Sequence, residues 1–278
     1  MQERRGSPAT STNRGRRSRA LFISDLHLAT HACRAPALLD FLEQNEADTI
    51  YLVGDIIDFW DINRGGIWPQ AHSDVVLALL GKMRRGARLI FVPGNHDEGL
   101  RDYCGAFLPG IEIERECIHT TADGRHLLVT HGDAFDVVVR YARWLALLGG
   151  HGNALARILN TPLRWARRRL GFGLWSLSAF IKLKLKVKTA VNFIGAFESA
   201  LLAEARRRGL DGVVCGHIHH AQCKVVDGIR YLNCGDWVES CTAVVEDDAG
   251  NLELIAWRQS VREEARPRWA PARLRKAA

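Results

Sequence analysis

Five short apolar runs in this chain each end in a polar cluster, and this recurrence constrains the fold more than any other feature. The runs are rich in Val, Ile and Leu, which is typical of buried strands. They end in the motifs SDLHL (24–28), VGD (53–55), PGNHD (93–97), THGD (130–133) and CGHIHH (215–220). Stretches with helical spacing, 36–45 and 74–85, separate the first three runs. Strand, helix, strand predicts an α/β fold that binds its ligands at the carboxyl ends of the strands.

The chain changes character from Gln222 onward. Asp227-Gly228 lies between two strand-like runs, which is the signal of a tight β-hairpin, and Ala249-Gly250 repeats the arrangement. The sequence therefore predicts antiparallel strands at this end and mixed sheets overall. Between the two hairpins stands the motif NCGDW, whose Asn233 and Asp236 are interpreted as supports of a site or as turn formers.

The strand ends carry residue types that bind metals. Two pairs are spaced two residues apart, so each pair can leave its strand on the same side. Carboxylate, imidazole and amide groups together suit Mn²⁺, Fe²⁺ or Zn²⁺. Seven candidates are too many for one ion and suit two, with one carboxylate bridging. The candidates are Asp25, His27, Asp55, Asn95, His131, His217 and His219.

A single D-x-H or G-N-H-D motif is usually only a turn, because Asn and Asp favour turn conformations. Five such strand ends in one chain favour a site instead. In order and in spacing, DLH, GD, GNHD, HGD and GHIH resemble the calcineurin-like metallophosphoesterase family over residues 24–220. The resemblance implies a four-layer α/β/β/α sandwich with two divalent metal ions, Mn²⁺ foremost, at the loop ends.

The resemblance also implies roles for single residues. His96 would protonate the leaving group or stabilise charge, and Asp97 would orient it; helix capping is the alternative for Asp97. Asp55 would bridge the metals. The first metal would be held by Asp25, His27 and His219, and the second by Asn95, His131 and His217.

The organisation along the chain is one domain between two basic tails. Residues 1–18 are predicted to be a disordered tail, 19–263 the phosphoesterase domain and 264–278 a second tail. An insertion at about 137–205 is predicted to be helical and to cover the site as a lid. From 137 to 197 it has no Asp or Glu, and Lys and Arg alternate with Trp and Phe. The period of two in KLKLKVK (182–188) is the strand-like exception.

Within the family the chain looks most like the bacterial UDP-2,3-diacylglucosamine diphosphatase group, in length, in the insertion after HGD and in the GHIHH ending. That group cleaves a nucleotide lipid to UMP and an acylated sugar phosphate in lipid A synthesis. The apolar residues of the insertion suit contact with acyl chains, and its Lys and Arg residues suit contact with a diphosphate. We expect substrate contacts from Trp60, Arg164, Lys182 and Lys186. One departure is His96, where the best-known branch has Arg.

Two alternatives stay open at this stage. One is a phosphoesterase of the same fold acting on a nucleotide, a nucleic acid or a different phospholipid. The other is a non-catalytic interaction module, which would usually have lost ligands. The net charge of +7 favours an anionic partner, and nucleic acid, anionic lipid and phosphorylated small molecules fit it equally well.

The remaining features point to a cytoplasmic protein at the inner face of the inner membrane. There is no signal-peptide pattern, and the most apolar stretch is too short to span a bilayer. The seven cysteines form no C-x-x-C pair, which argues against a disulfide framework. No protein partner is inferred. His31, His72 and His119 are expected to be solvated loop residues.

Overall fold

The apolar runs become the strands of two sheets in a computed structural model that describes residues 16–105, 107–108, 110–135 and 193–257. Within these residues the strands are β1 Arg16–Ile23, β2 Asn45–Val53, β3 Arg88–Val92, β4 Phe107–Leu108, β5 Ile111–Ile113, β6 Cys117–Thr120, β7 His126–Val129, β8 Gly212–Cys215, β9 Gln222–Val226, β10 Ile229–Asn233, β11 Thr242–Glu246 and β12 Leu252–Ala256. The helices are α1 Ala35–Gln44, α2 Phe59–Ile62, α3 Gln70–Arg84 and α4, described over residues 193–207. Short 3₁₀ helices occupy Glu98–Tyr103 and Asp133–Phe135.

The five motif strands predicted from sequence are confirmed as β1, β2, β3, β7 and β8, and the two predicted helices as α1 and α3. In α1, Pro36 occupies the first turn, where its missing N–H leaves no helical bond unmade. The apolar face of α1 is buried through Leu38, Phe41 and Leu42. Burying each of these side chains contributes about 1.5–3 kcal/mol, so packing rather than capping holds this helix.

The described strands form a seven-stranded sheet in the order β12-β11-β1-β2-β3-β5-β4 and a five-stranded sheet in the order β6-β7-β8-β10-β9. In the first sheet β1, β2, β3 and β5 are parallel. In the second, β7, β8 and β10 are parallel. The carboxyl ends of the motif strands therefore meet at one edge of the two sheets, called the metal edge below.

Alternation along the strands divides the core into layers. In β1, Leu21 and Ile23 pack with α1 and α3 on the outer side, whereas Ala20 and Phe22 pack between the sheets. In the five-stranded sheet, Leu128 faces the outer side with α4. Successive side chains of a strand point to opposite faces, so each central strand contributes to two layers. Helices, sheet, sheet and helix confirm the predicted four-layer α/β/β/α sandwich.

Both predicted hairpins are present. Asp227 and Gly228 have φ values of 49° and 81°, the left-handed pair that a type I′ turn requires. The β9–β10 hairpin belongs to the five-stranded sheet and the β11–β12 hairpin to the seven-stranded sheet. The chain thus crosses from one sheet to the other between β10 and β11, at the metal edge.

Two of the boundaries predicted from sequence, the end of the N-terminal tail and the end of the insertion, fall on residues that the structure describes. Strand β1 begins at Arg16, inside the predicted tail 1–18, because its first residues still pair with β2. Residues 193–205, at the end of the predicted insertion, belong to α4, and Phe197, Leu201 and Ala205 are buried against the five-stranded sheet. The rest of the insertion, with its strand-like KLKLKVK, and the tail 264–278 lie outside the described residues.

Candidate metal centre

The loops after β1, β2, β7 and β8 bring six of the seven candidate ligands together. Asp25 Oδ1 lies 3.2 Å from His219 Nε2, and His27 Nε2 lies 3.3 Å from the same atom. On the other side, Asp55 Oδ2 lies 3.4 Å from His131 Nε2. The ring of His217 stands 5.1 Å from that of His131, measured between centroids.

The side chains form overlapping groups whose ligand atoms lie within 4.8 Å of one another. One group holds the residues expected around the first metal, and another holds the bridge and two residues of the second. A third group includes His96, expected from sequence to be catalytic. The groups are Asp25, His27 and His219; Asp55, His131 and His217; and His27, Asp55 and His96.

The seventh candidate, Asn95, sits on the loop after β3, next to Gly94. Its Oδ1 is buried and has no hydrogen-bond partner. A β-carbon on Gly94 would collide with the Asp55 carboxylate. Glycine therefore lets the Asn95 loop approach the loop that carries Asp55.

The backbone at the ligands is strained. Eight non-glycine residues with positive φ occur in the described part of the chain, and five of them are candidate ligands. The left-handed conformation costs a residue with a β-carbon about 1–2 kcal/mol, and such residues cluster at functional sites. The five are Asp25 (54°), His27 (48°), Asp55 (53°), His217 (71°) and His219 (52°).

Unpaired buried atoms at the same place fit metal ions. Asp25 Oδ1, Asn95 Oδ1, His96 Nδ1 and His131 Nε2 are buried and make no hydrogen bond of suitable geometry. Buried polar atoms are nearly always satisfied, so four such atoms in one site call for a ligand. Two carboxylates, an amide oxygen and imidazoles form the mixed nitrogen and oxygen set that borderline divalent ions accept.

The charges of the site are strongly coupled. Burial lowers the pKa of His131, but the Asp55 carboxylate and the charge of Asp25 outweigh it and raise that pKa to about 10. Burial raises the pKa of Asp25, yet His219 and His131 bring it below its usual value. In the metal-free protein the histidine protons therefore compensate the carboxylates, and metal ions binding there would displace them.

Asp58 makes a contact with His96 and His27 that was not predicted from the sequence. Its carboxylate Oδ2 lies 2.8 Å from His96 Nδ1 and 3.1 Å from His27 Nδ1. Its Oδ1 accepts a hydrogen bond from the backbone N–H of Asp61 at the start of α2. Asp58 follows Asp55 by three residues, and this spacing after the GD motif was the available signal.

Asp97 acts on the backbone rather than on His96. Its buried carboxylate accepts hydrogen bonds from the N–H groups of Gly94 (2.6 Å) and Ile56 (2.7 Å). It therefore holds the loops that carry Asn95 and Asp55, and Asp58 contacts the His96 ring in its place. The sequence could not separate the two carboxylates, because both lie within a few residues of a motif.

Trp60 lies at the mouth of the site. Its ring centre is 4.0 Å from that of His96, and 42% of the residue is exposed. The other substrate residues expected from sequence, Arg164, Lys182 and Lys186, lie outside the described residues. The described residues before these three end just after the HGD motif, and the described residues after them begin with α4. Phe197 of α4 lies against Gly132, and its ring centre is 5.9 Å from that of His217.

The four-layer fold with two central sheets, and the cluster of candidate metal ligands at the strand ends, are those of a metal-dependent hydrolase. The calcineurin-like phosphoesterase model matches residues 18–221, which is well over half of the chain. The protein belongs to the calcineurin-like phosphoesterase family. It is accordingly a hydrolase of phosphorus ester or anhydride bonds, and its family uses divalent metal ions.

Several bacterial proteins similar to this chain are named UDP-2,3-diacylglucosamine hydrolase. UDP-2,3-diacylglucosamine hydrolase of Neisseria meningitidis serogroup B is 27% identical over 247 residues, covering 85% of this chain and 97% of that protein. The protein of that name from Aeromonas salmonicida is 29% identical over 251 residues, covering 81% and 88%. Among solved structures, vacuolar protein sorting 29 of Cryptosporidium parvum is 12% identical, covers 86% of this chain and 91% of its own, and has a TM-score of 0.42.

Among the described residues, no helix combines the length and the apolar character that crossing a membrane requires.

Proposed function

We propose that this protein hydrolyses the diphosphate bond of a nucleotide-linked acylated sugar, UDP-2,3-diacylglucosamine or a close relative, with two bound divalent ions. The observation that carries the proposal is the convergence of strained ligands and unpaired buried atoms at the metal edge. The named relatives support the substrate, since they match this chain over nearly their whole length.

The proposed metal ligands are those expected from sequence. Asp25, His27 and His219 hold the first ion, and Asn95, His131 and His217 hold the second. Asp55 bridges, which its place in two of the three ligand groups supports. Mn²⁺ is the proposed ion. Such a pair of cations, when bound, activates a water molecule and neutralises charge on the phosphoryl oxygens.

The chain itself supplies the proton for the leaving group. His96 Nε2 points away from Asp58 and lies 3.9 Å from Asp55 Oδ2. The Asp58 carboxylate lies beside His96 Nδ1 and favours a charged ring, so that Nε2 can hold the proton for the departing oxygen. The Trp60 ring packs against the same ring at an interplanar angle of 35° and covers one of its faces. Asp97 has a supporting role through the backbone.

The substrate side of the proposal rests on the insertion. The described residues before and after its undescribed part adjoin the site, which suits the lid predicted at about 137–205 within a domain of residues 19–263. Arg164, Lys182 and Lys186 are proposed to bind the diphosphate, and the apolar residues between them the acyl chains. Together with the basic tails they would hold the enzyme on the anionic inner face of the inner membrane.

The test is hydrolysis of purified UDP-2,3-diacylglucosamine by the metal-loaded protein, followed by mass spectrometry. UMP and an acylated glucosamine phosphate are the expected products, with no turnover by His131→Ala. A generic aryl phosphodiester runs in parallel. Hydrolysis of the generic ester alone would assign the protein to another substrate of the same family, and hydrolysis of neither by a protein carrying two metals would contradict the proposed function.

A further inference from the structure

The segment between β10 and β11, residues 233–242, crosses between the sheets directly behind the candidate ligands. It begins at Asn233, which pairs with Cys215 at the end of β8, and Cys234 N–H donates to the carbonyl of Cys215 over 2.8 Å. It ends at Thr242, the first residue of β11 in the other sheet. We call it the crossover segment. Its position allows one piece of chain to contact ligand loops from both sheets.

On the side of the five-stranded sheet the contact is made by Asn233, which is fully buried. Its Nδ2 donates to the carbonyl of Gly216 over 2.8 Å, and its Oδ1 accepts from the N–H of Gly235 over 2.9 Å. The amide of Asn233 therefore bonds at one end to the crossover segment and at the other to Gly216, the residue that precedes His217.

Gly216 is where three ligand loops meet. Its N–H donates to the carbonyl of His131 over 3.1 Å. The next residue, His217, donates its N–H to Asp25 Oδ2 over 3.0 Å. A β-carbon on Gly216 would collide with that same carboxylate. A shift of Gly216 would therefore move His217 and displace Asp25 or His131 with it.

On the side of the seven-stranded sheet the crossover segment binds the loop after β1. The buried hydroxyl of Ser24 donates to the carbonyl of Gly235 over 3.0 Å. The N–H of Trp237 donates to the carbonyl of Asp25 over 3.1 Å. The distance between Asp25 and the His217–His219 loop is therefore fixed through this segment as well as through the sheets.

Asp236 faces the last ligand. Its buried carboxylate accepts through Oδ1 from the N–H of Val238 (2.8 Å) and through Oδ2 from the hydroxyl of Ser240 (3.0 Å). The same Oδ2 lies 3.9 Å from His219 Nδ1, on the opposite side of that ring from Asp25. At 3.9 Å this is an electrostatic contact rather than a hydrogen bond. A carboxylate facing the outer nitrogen of a ligating histidine favours the proton on that nitrogen and leaves the inner nitrogen for the metal.

We propose that Asn233 and Asp236 are positioning residues that hold Asp25, His217 and His219, contributed by two different sheets, at metal-binding separation. Asn233 acts on His217 through Gly216, and Asp236 acts on the His219 ring. The proposal rests on the proposed dinuclear function and adds to it the residues that set metal affinity.

The experiment titrates Mn²⁺ into the metal-stripped full-length protein by calorimetry, and measures the thermal midpoint of each metal-free variant. Asn233→Asp keeps the acceptor for Gly235 and loses the Nδ2 donor to the Gly216 carbonyl, together with its longer contacts, 3.4 Å each, to Cys215 Sγ and the Tyr231 hydroxyl. Asp236→Asn keeps the turn acceptor and loses the charge facing His219. Both are expected to weaken at least one of two Mn²⁺ affinities by about 10–100-fold, as partners of metal ligands typically do.

The matched control is Asp247→Asn. Asp247 forms the same kind of turn, accepting from the N–H groups of Ala249 and Asn251 over 2.9 Å in each case. It follows the last residue of β11, at the end of the strand opposite the site. A merely structural role would lower the thermal midpoint of the metal-free variants and leave the Mn²⁺ affinity unchanged. Affinities within about twofold of wild type for both variants would overturn the positioning role. A wild-type protein that binds no Mn²⁺ would overturn the proposed function, and this inference with it.

Discussion

Two buried polar clusters lie between the layers of this molecule, and they have opposite characters. At the metal edge, carboxylate and imidazole atoms are left unpaired, and five of the candidate ligands have left-handed backbone. Toward the opposite edge, His119 bridges the sheets with every ring nitrogen in contact. Its Nε2 lies 2.7 Å from Glu246 Oε2, and its Nδ1 lies 2.9 Å from the hydroxyl of Tyr51.

The second cluster is complete within the protein. Glu246 uses its other oxygen to accept from the N–H of Ala122 over 2.7 Å. None of its three members is among the described residues with positive φ. The same residue types thus make a structural network in one place and an unfinished site in the other. What separates them is unmet bonding and strain, which persist only where something else, such as a ligand, makes use of them.

The largest expected effect is at the bridge. Asp55→Asn removes the carboxylate that both proposed ions share, and several kcal/mol of transition-state stabilisation should be lost with it. We expect turnover to fall by at least about a thousandfold, since each 1.36 kcal/mol is a factor of ten. Metal content, measured by elemental analysis, should fall below two ions per chain.

The control for the bridge is Asp48→Asn, at an exposed carboxylate paired with Arg17 near the start of β2. It changes the same group to the same amide away from the site. Its turnover and metal content should equal those of wild type. Two ions per chain and a near-normal rate in Asp55→Asn would mean that Asp55 does not bridge.

His96→Ala comes next, because it separates catalysis from metal binding within the same cluster. A well-placed general acid contributes about 10²–10⁴-fold to the rate, and turnover should fall by that amount. The seven proposed ligands are untouched, so two ions should remain by elemental analysis. Loss of one ion would instead make His96 a ligand, in keeping with its group with His27 and Asp55.

These residues also show what the sequence could and could not predict. Asp25, Asp55 and His131 follow apolar runs directly, so strand pattern and motif spacing were enough to place them at one edge. Asp58 and Asp97 lie as close to the motifs, but which carboxylate meets His96 depends on how two loops fold over each other. Local sequence carries no signal for that choice.

Long-range packing explains the histidines whose environments were predicted wrongly. His119 was expected to be solvated, yet it lies on β6, and its partners Tyr51 and Glu246 come from the other sheet. His72 was also expected in solvent, but the packing of α3 against the loop after β1 buries it. Neither environment follows from residues nearby in the chain.

Breaking the complete cluster should affect stability and spare the site. His119→Ala leaves the buried Glu246 and Tyr51 without their partner, which should lower the free energy of unfolding by about 3 kcal/mol. His126→Ala is the control, since His126 is exposed on the neighbouring strand and contacts Thr120. Urea unfolding gives both values, and Mn²⁺ affinity at low temperature should match wild type. A loss of metal affinity in His119→Ala would mean that the two clusters are coupled.

The smallest effect concerns His72, a buried histidine that supports the site without belonging to it. Its Nδ1 accepts the N–H of Ala29 over 3.0 Å, two residues beyond His27, and burial lowers the pKa of the ring. In the unfolded chain the ring has a pKa of about 6.5, so as the pH falls below that value the unfolded state binds the proton before the folded state does. Stability should therefore fall as the pH drops below about 6.5, until the folded pKa is passed.

His72→Gln offers the same acceptor to the Ala29 N–H but does not titrate. Between about pH 7.5 and 5.5, urea unfolding of wild type should lose more free energy than the variant does. Equal losses of unfolding free energy in wild type and variant would show that the hydrogen bond to Ala29 does not depend on a neutral His72 ring.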